Sequence, residues 1–216
     1  MSNIVIVGGG FAALQTIKMV RKLDQDIAIT MITADSGWGG GEYSKPNLSH
    51  GFSQEQTPET LTVHNTQQLA EQYNVVIKTK ALVSEIDIEQ QYIRVDGQPI
   101  HYTKLVFATG ATPFTPPAKG LKRGATITLN SLEEFEKHKA QIDDAQRVTV
   151  IGGGLIVVEL AFDLQTAQSW ETRFDPKGIV AKGFNADNQL VGFIVTGEHT
   201  KAAFPLLKEL QTSSPT

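Results

Sequence analysis

The strongest constraint on this chain lies in its first 35 residues. Asn3 to Val7 is dominated by β-branched residues, as in a central parallel strand buried on both faces, and it stops at Gly8-Gly9-Gly10. From Phe11 to Leu23, Ala13, Ile17 and Val20, with Leu14 and Leu23 beside them, follow the helical period and predict one buried stripe. Ile27 to Ile32 supplies a second parallel strand, which closes at Thr33-Ala34-Asp35. Strand, glycine loop, helix and strand make one βαβ unit. Within it, each fixed position of Gly8-x-Gly10-x-x-Ala13 has its own physical role. Gly8 permits the tight turn, Gly10 lets a pyrophosphate approach the backbone, and Ala13 packs the helix closely on the strand. The first helical residues, Phe11 and Ala12, turn unpaired N–H groups towards the phosphates. Asp35 stands where a carboxylate accepts from a ribose diol. The expected ligand of this unit is a dinucleotide.

The next stretch, Trp38 to Ser53, is rich in Gly, Ser, Asn and Pro and reads as loop with a short helix around Leu48. A helix over Thr66 to Tyr73 and a strand at Val75 to Ile77 follow. Leu82 to Ile88, Tyr92 to Val95 and Ile100 to Tyr102 alternate apolar and polar residues, and Asp96-Gly97 suits a type I′ turn, so an antiparallel meander is expected. Lys104 to Thr109 is a further buried strand, ending at Gly110. Pro113, Pro116 and Pro117 mark a stiff connection and a domain boundary. Ser131 with Glu134 is a capping box opening a helix to about Ile142. Arg147 to Leu164 repeats the pattern of strand, glycine loop and helix, while Gln168 to Lys177 reads as polar and irregular. Gly178 to Leu210 reads as strand, Asn-Ala-Asp-Asn turn, strand and a helix from about Thr200.

Two stretches carry a resemblance. Leu105-Val106-Phe107-Ala108-Thr109-Gly110-Ala111 resembles the Ala-Thr-Gly motif of flavoprotein reductases with two dinucleotide domains, in which the first domain binds FAD. Glu42-Tyr43-Ser44-Lys45-Pro46-Asn47-Leu48-Ser49-His50 resembles the loop that these enzymes lay beside the isoalloxazine ring. Tyr-x-Lys-Pro-x-Leu-Ser is similar to rubredoxin reductases, residues 1 to 166 to NADH:flavorubredoxin reductases of nitric oxide detoxification, and Trp170 to Leu210 to the C-terminal domain of that group. The resemblance implies FAD as cofactor, NAD(H) as substrate, and hydride transfer to the flavin N5 followed by single-electron transfer to rubredoxin or flavorubredoxin. It also implies a flavin contact for Lys45 and Pro46, where the cation favours an anionic reduced flavin. It implies a backbone contact to adenine at Val83, and contacts from Ala108, Thr109 and Gly110. On residue type alone Lys45 is a solvated loop lysine and Val83 is core. Asn130 stands where related ferredoxin reductases often carry Arg, and is assigned no role.

Gly152-x-Gly154-x-x-Val157 resembles the NAD-binding fingerprint, with Val157 where Gly or Ala is expected; overpacking of that kind costs about 1–3 kcal/mol. Fewer than 25 residues separate Gly152 from Trp170, against roughly 100 in a complete nucleotide domain. The family's later Gly-Asp pair is absent, and Trp38-Gly39-Gly40-Gly41 reads as a linker. The expected fold is α/β: a Rossmann-like, three-layer FAD/NAD(P)-binding fold with a small meander, a truncated second Rossmann unit and a small α+β C-terminal module. The expected domains are 1–115, 116–168 and 169–216. An intact reductase activity competes with two alternatives: a non-catalytic flavin- or nucleotide-binding remnant, engineered or internally deleted, and a scaffold that binds nothing.

Composition narrows the partners. A net charge of -4 with no basic run gives nucleic acid no footprint. No apolar run approaches the ~20 residues that span a bilayer, which predicts a cytoplasmic protein without membrane contact. Zero cysteines remove disulfides and dithiol redox pairs, so redox chemistry falls to a cofactor. His50, His64, His101, His138 and His199 lack ligand spacing, and no metal site is expected. Strand edges bared by the missing segment predict self-association.

Overall fold

A computed structural model describes residues 2–35, 41–113, 126–145, 148, 150, 169–195 and 197–212. It divides into two compact units, one of Met1–Leu48 with Thr57–Lys137 and one of Ser49–Gln56 with His138–Thr216.

The first unit is built around a four-stranded sheet. Its strands are β1 (Asn3–Val7), β2 (Ala28–Ile32), β5 (Val76–Lys78) and β9 (Lys104–Phe107), in the order β5-β2-β1-β9. All its pairs are parallel. Because side chains alternate along a strand, β1 serves two cores. Ile6 joins Ala13 and Ile17 of helix α1 (Phe11–Leu23), with Ile29, Met31 and Val75, on one face. Val5 joins Ile32, Ala81, Ile93, Val95 and Tyr102 on the other. That second face is covered by a three-stranded antiparallel meander of β6 (Val83–Asp87), β7 (Tyr92–Val95) and β8 (Gln98–His101). Helix, parallel sheet and meander are the three layers expected. The Asp96-Gly97 turn has φ of 49° and 77°, both positive as a type I′ turn requires.

Helix α1 departs from its predicted stripe at one end. Leu23 is exposed, and Arg21 is buried instead. The Arg21 guanidinium donates to the carbonyls of Tyr73 (2.6 Å), Ile27 (2.8 Å), Asn74 (2.8 Å) and Asp24 (3.3 Å), a demand that hydrophobic periodicity does not reveal. Tyr73 and Asn74 lie at the end of helix α4 (Thr66–Tyr73), so one side chain ties two helix ends to the sheet. The unit also holds a hairpin where composition predicts loop: β3 (Glu42–Tyr43) paired with β4 (Thr62–His64). Strands of two and three residues are too short to show alternation. Between them lie α2 (Asn47–Ser53), which matches the short helix expected around Leu48, and α3 (Pro58–Leu61).

Helix α5 (Leu132–Asp143) starts where expected, but its box is only half closed. Ser131 Oγ accepts from the Glu134 N–H at 3.2 Å. The Glu134 carboxylate goes instead to the Asn130 N–H at 2.6 Å and to Thr128 Oγ1 at 2.9 Å.

The second unit contains an antiparallel sheet of β10 (Ser169–Asp175), β11 (Gly178–Phe184) and β12 (Leu190–Val195). A 3-10 turn at Gly197–Ala202 and helix α6 (Ala203–Thr212) follow, and Leu206 packs on Leu190 and Val195. The expectation that Gln168 to Lys177 is irregular needs correcting. Ser169 to Asp175 pairs residue by residue with Phe184 to Gly178. It is an outer strand, held by its backbone ladder while Glu171, Arg173 and Phe174 stay exposed, so no apolar alternation marks it. The second glycine loop, with Gly152, Gly154 and Val157, lies outside the described residues, as do Trp38 to Gly40 and Pro116-Pro117.

Candidate functional site

The registers decide what the first unit gathers. Val7 pairs with Ile32 on one side and with Phe107 on the other. The chain therefore leaves three adjacent parallel strands at one edge, and the segments that follow them are Gly8–Gly10, Thr33–Asp35 and Ala108–Gly110. In open α/β sheets the carboxyl edge is where ligands bind.

Gly8 is fixed by the fold. Its N–H donates to Ile32 O at 2.8 Å, and Ala108 N donates to Val7 O at 2.7 Å. With φ at 117° and any added Cβ only 2.0 Å from the Ala108 carbonyl oxygen, no other residue fits. Gly10 differs: a Cβ there would meet nothing within 4 Å, and the same holds at Gly110. Gly10 is the N-cap of α1 and has no side chain to cap it, so the first N–H groups, at Phe11 and Ala12, have no partner within the helix. Ala13 is fully buried against the strands. This open, uncapped cradle suits a diphosphate, so the residues present fit the adenosine diphosphate half of a dinucleotide.

Asp35 lies three residues beyond β2, half-buried. Its N–H donates to Thr33 Oγ1 at 3.3 Å, its Oδ2 accepts from that hydroxyl at 3.2 Å, and its carbonyl accepts from Lys80 N at 2.9 Å. Val83 packs half-buried against the meander core, as its residue type alone predicts.

Lys45 and Pro46 occupy the exposed turn between β3 and α2, where Lys45 O accepts from Leu48 N at 3.2 Å. Lys45 Nζ donates to Asn130 Oδ1 at 2.7 Å. Tyr43 OH accepts from Leu132 N at 3.4 Å. Burial pushes the Tyr43 phenol above its usual range, and the carboxylates of Asp35 and Glu134 add to that rise. The start of the hairpin is fastened by Glu42, which accepts from Lys18 Nζ at 2.7 Å and meets His64 Nδ1 at 2.9 Å. The Lys18 hydrogen bond holds the Glu42 carboxyl below its usual range. Glu42 and Tyr43 carry no role in the sequence outside their motif, and the contacts of Lys18, His64 and Asn130 are not legible there, because their partners are distant in the chain.

Residues 2–177 match the model of the pyridine nucleotide-disulphide oxidoreductases. The chain belongs to that family. Residues 160–210 match a second model, described as a rubredoxin binding C-terminal domain. Among its relatives, a nitric oxide reductase FlRd-NAD(+) reductase of Vibrio vulnificus is 45% identical over 173 residues, covering 80% of this chain and 44% of that protein. The chain thus spans less than half the length of such relatives. Of solved structures, a NAD-dependent persulfide reductase from A. fulgidus is 27% identical with a TM-score of 0.65, covering 75% of this chain and 32% of that one. An NADH:rubredoxin oxidoreductase from Clostridium acetobutylicum shares the fold at 22% identity and a TM-score of 0.59, over 76% of this chain and 41% of that one.

Among the described residues no group of three or more His, Cys, Asp or Glu could hold a metal ion, and no helix is long and apolar enough to cross a membrane.

Proposed function

We propose that this chain is an FAD-dependent oxidoreductase that passes electrons from NADH to a rubredoxin or flavorubredoxin acceptor, in the nitric oxide detoxification branch of its family. The observation that carries the reading is the gathering of Gly8–Gly10, Asp35 and Ala108–Gly110 at one sheet edge, with open space before Gly10 and Gly110. The FlRd-NAD(+) reductases at about 45% identity and the rubredoxin-binding match at residues 160–210 support it.

When bound, a flavin supplies the exchange between two-electron and one-electron chemistry that the side chains here lack. The chain's own part is binding and placement. The N–H groups of Phe11 and Ala12 receive the diphosphate, Asp35 accepts from the ribose hydroxyls, and the Val83 backbone takes the adenine. Lys45 and Pro46, with Ala108, Thr109 and Gly110, take the isoalloxazine side. The division we propose is a flavin-binding part at 1–115, a remnant of the nicotinamide nucleotide domain at 116–168 bearing Gly152 and Gly154, and an acceptor-facing module at 169–216. The setting is the cytoplasm.

A second reading, a flavin- or nucleotide-binding remnant without turnover, is favoured by the short internal stretch between Gly152 and Trp170, against roughly 100 residues in a complete nucleotide domain. Anaerobic NADH added to protein mixed with FAD separates the two. Bleaching of bound flavin faster than of free FAD supports a reductase; bound flavin that stays oxidised supports the remnant.

A further inference from the structure

The Asn130 residue makes three contacts in one place. Its Oδ1 accepts from Lys45 Nζ at 2.7 Å, its Nδ2 donates to the Ala111 carbonyl at 3.2 Å, and its main-chain N–H donates to Glu134 Oε2 at 2.6 Å. Only one orientation of the amide works, because turning it over sets NH2 against an ammonium and oxygen against a carbonyl. The contacts join parts of the first unit far apart in sequence: the turn after β3, the residue following Ala108-Thr109-Gly110, and the start of α5. Glu134 is the carboxylate bonded to this residue, and both its oxygens are engaged, by Asn130 N–H and Thr128 Oγ1. Among the described residues, ion pairs include Lys18 and Lys139 but not Lys45. Lys45 is therefore fixed by a neutral oxygen. A carboxylate at position 130 would hold the ammonium and cancel its charge, while an arginine would repel it.

We propose that Asn130 is a positioning residue: its amide ties Lys45 to the end of the Ala-Thr-Gly segment and leaves the charge of Lys45 available to an anionic group there. The identity of that group rests on the flavin reading above; the tie between Asn130 and Lys45 does not.

The full chain without flavin is treated with acetic anhydride, and each lysine is quantified by mass spectrometry for wild type, Asn130→Ala and Asn130→Asp, with Lys78 and Lys104 as internal references. Loss of the acceptor in Asn130→Ala should speed acylation of Lys45 about fivefold, as for one modest hydrogen bond. Asn130→Asp, which keeps an acceptor and the main-chain N–H, should slow it below wild type. Equal Lys45 rates in wild type and Asn130→Ala, or Asn130→Asp reacting as fast as Asn130→Ala, overturn the tie. In protein loaded with FAD, Asn130→Asp should move the flavin midpoint potential to a more negative value. An unmoved potential alongside the expected acylation pattern leaves the tie standing and removes Lys45 from the flavin.

Discussion

Two glycines of one loop should respond to the same substitution in opposite ways. At Gly8 the backbone has a φ of 117°, and a Cβ would lie 2.0 Å from the Ala108 carbonyl oxygen. A side chain at such a φ costs about 1–3 kcal/mol in strain. Forcing apart the loop and the end of β9 costs a further 1–3 kcal/mol or so. Gly8→Ala should therefore lose about 2–6 kcal/mol, and at about 2–4 °C per kcal/mol for a chain of this size its melting temperature should fall by roughly 10 °C. At Gly10 the φ of -85° and ψ of -169° are ordinary extended values and a Cβ meets nothing within 4 Å, so Gly10→Ala should stay within about 0.5 kcal/mol of wild type. Its cost should appear in ligand affinity: a methyl group in the diphosphate's place should weaken FAD or ADP binding at least tenfold, about 1.4 kcal/mol. Urea unfolding followed by far-UV circular dichroism reads the first quantity, and fluorescence titration with FAD the second. Gly8→Ala unfolding at the wild-type midpoint, or Gly10→Ala binding as wild type does, would refute the assignment of one glycine to the fold and the other to the ligand.

Arg21→Ala leaves four backbone carbonyls without their donor and should lower stability by about 3–4 kcal/mol, with Arg21→Lys recovering less than half because an ammonium cannot span them; chemical denaturation checks both. Asp175 meets His199 Nε2 at 2.9 Å, and chiefly this bond, then the Lys177 N–H, holds its carboxyl below the usual 3.8. A depressed carboxylate contributes stability that is present above 3.8 and is lost as pH falls through the lower folded value, so amide protection in β10 and β11, taken relative to the intrinsic exchange rate, should fall in that acid range. In His199→Ala most of this pH dependence should vanish. Among the described residues β9 is an outer strand of its sheet and its Phe107 is 62% exposed, so size-exclusion chromatography should show concentration-dependent self-association, and a monomer at every concentration counts against it.

Features carried by local periodicity were legible in the sequence. Ile4 to Val7 buries both faces, the α1 stripe and the apolar residues of β7 bury one each, and burial is what hydrophobic pattern records; in β6 the pattern misleads, because Ile86 is exposed. The glycine loop was legible because a positive φ and a close backbone approach leave few residue choices. What stayed hidden depends on partners distant in the chain. The burial of Arg21 is offset by carbonyls of Tyr73 and Asn74, β3 and β4 are too short for any period, and β10 is fixed by a ladder that any side chain permits. The Lys45 contact with Asn130 spans 85 residues, and neither residue type announces it.

Equilibrium titration of the full chain with FAD, with ADP as competitor, tests the central claim most directly. Saturable one-to-one binding that ADP displaces, and that Gly10→Ala weakens without loss of fold, is the predicted result. Protein that folds with the expected stability yet retains no FAD, or binds it without competition from ADP, would contradict the placement of a dinucleotide at the carboxyl edge of the sheet.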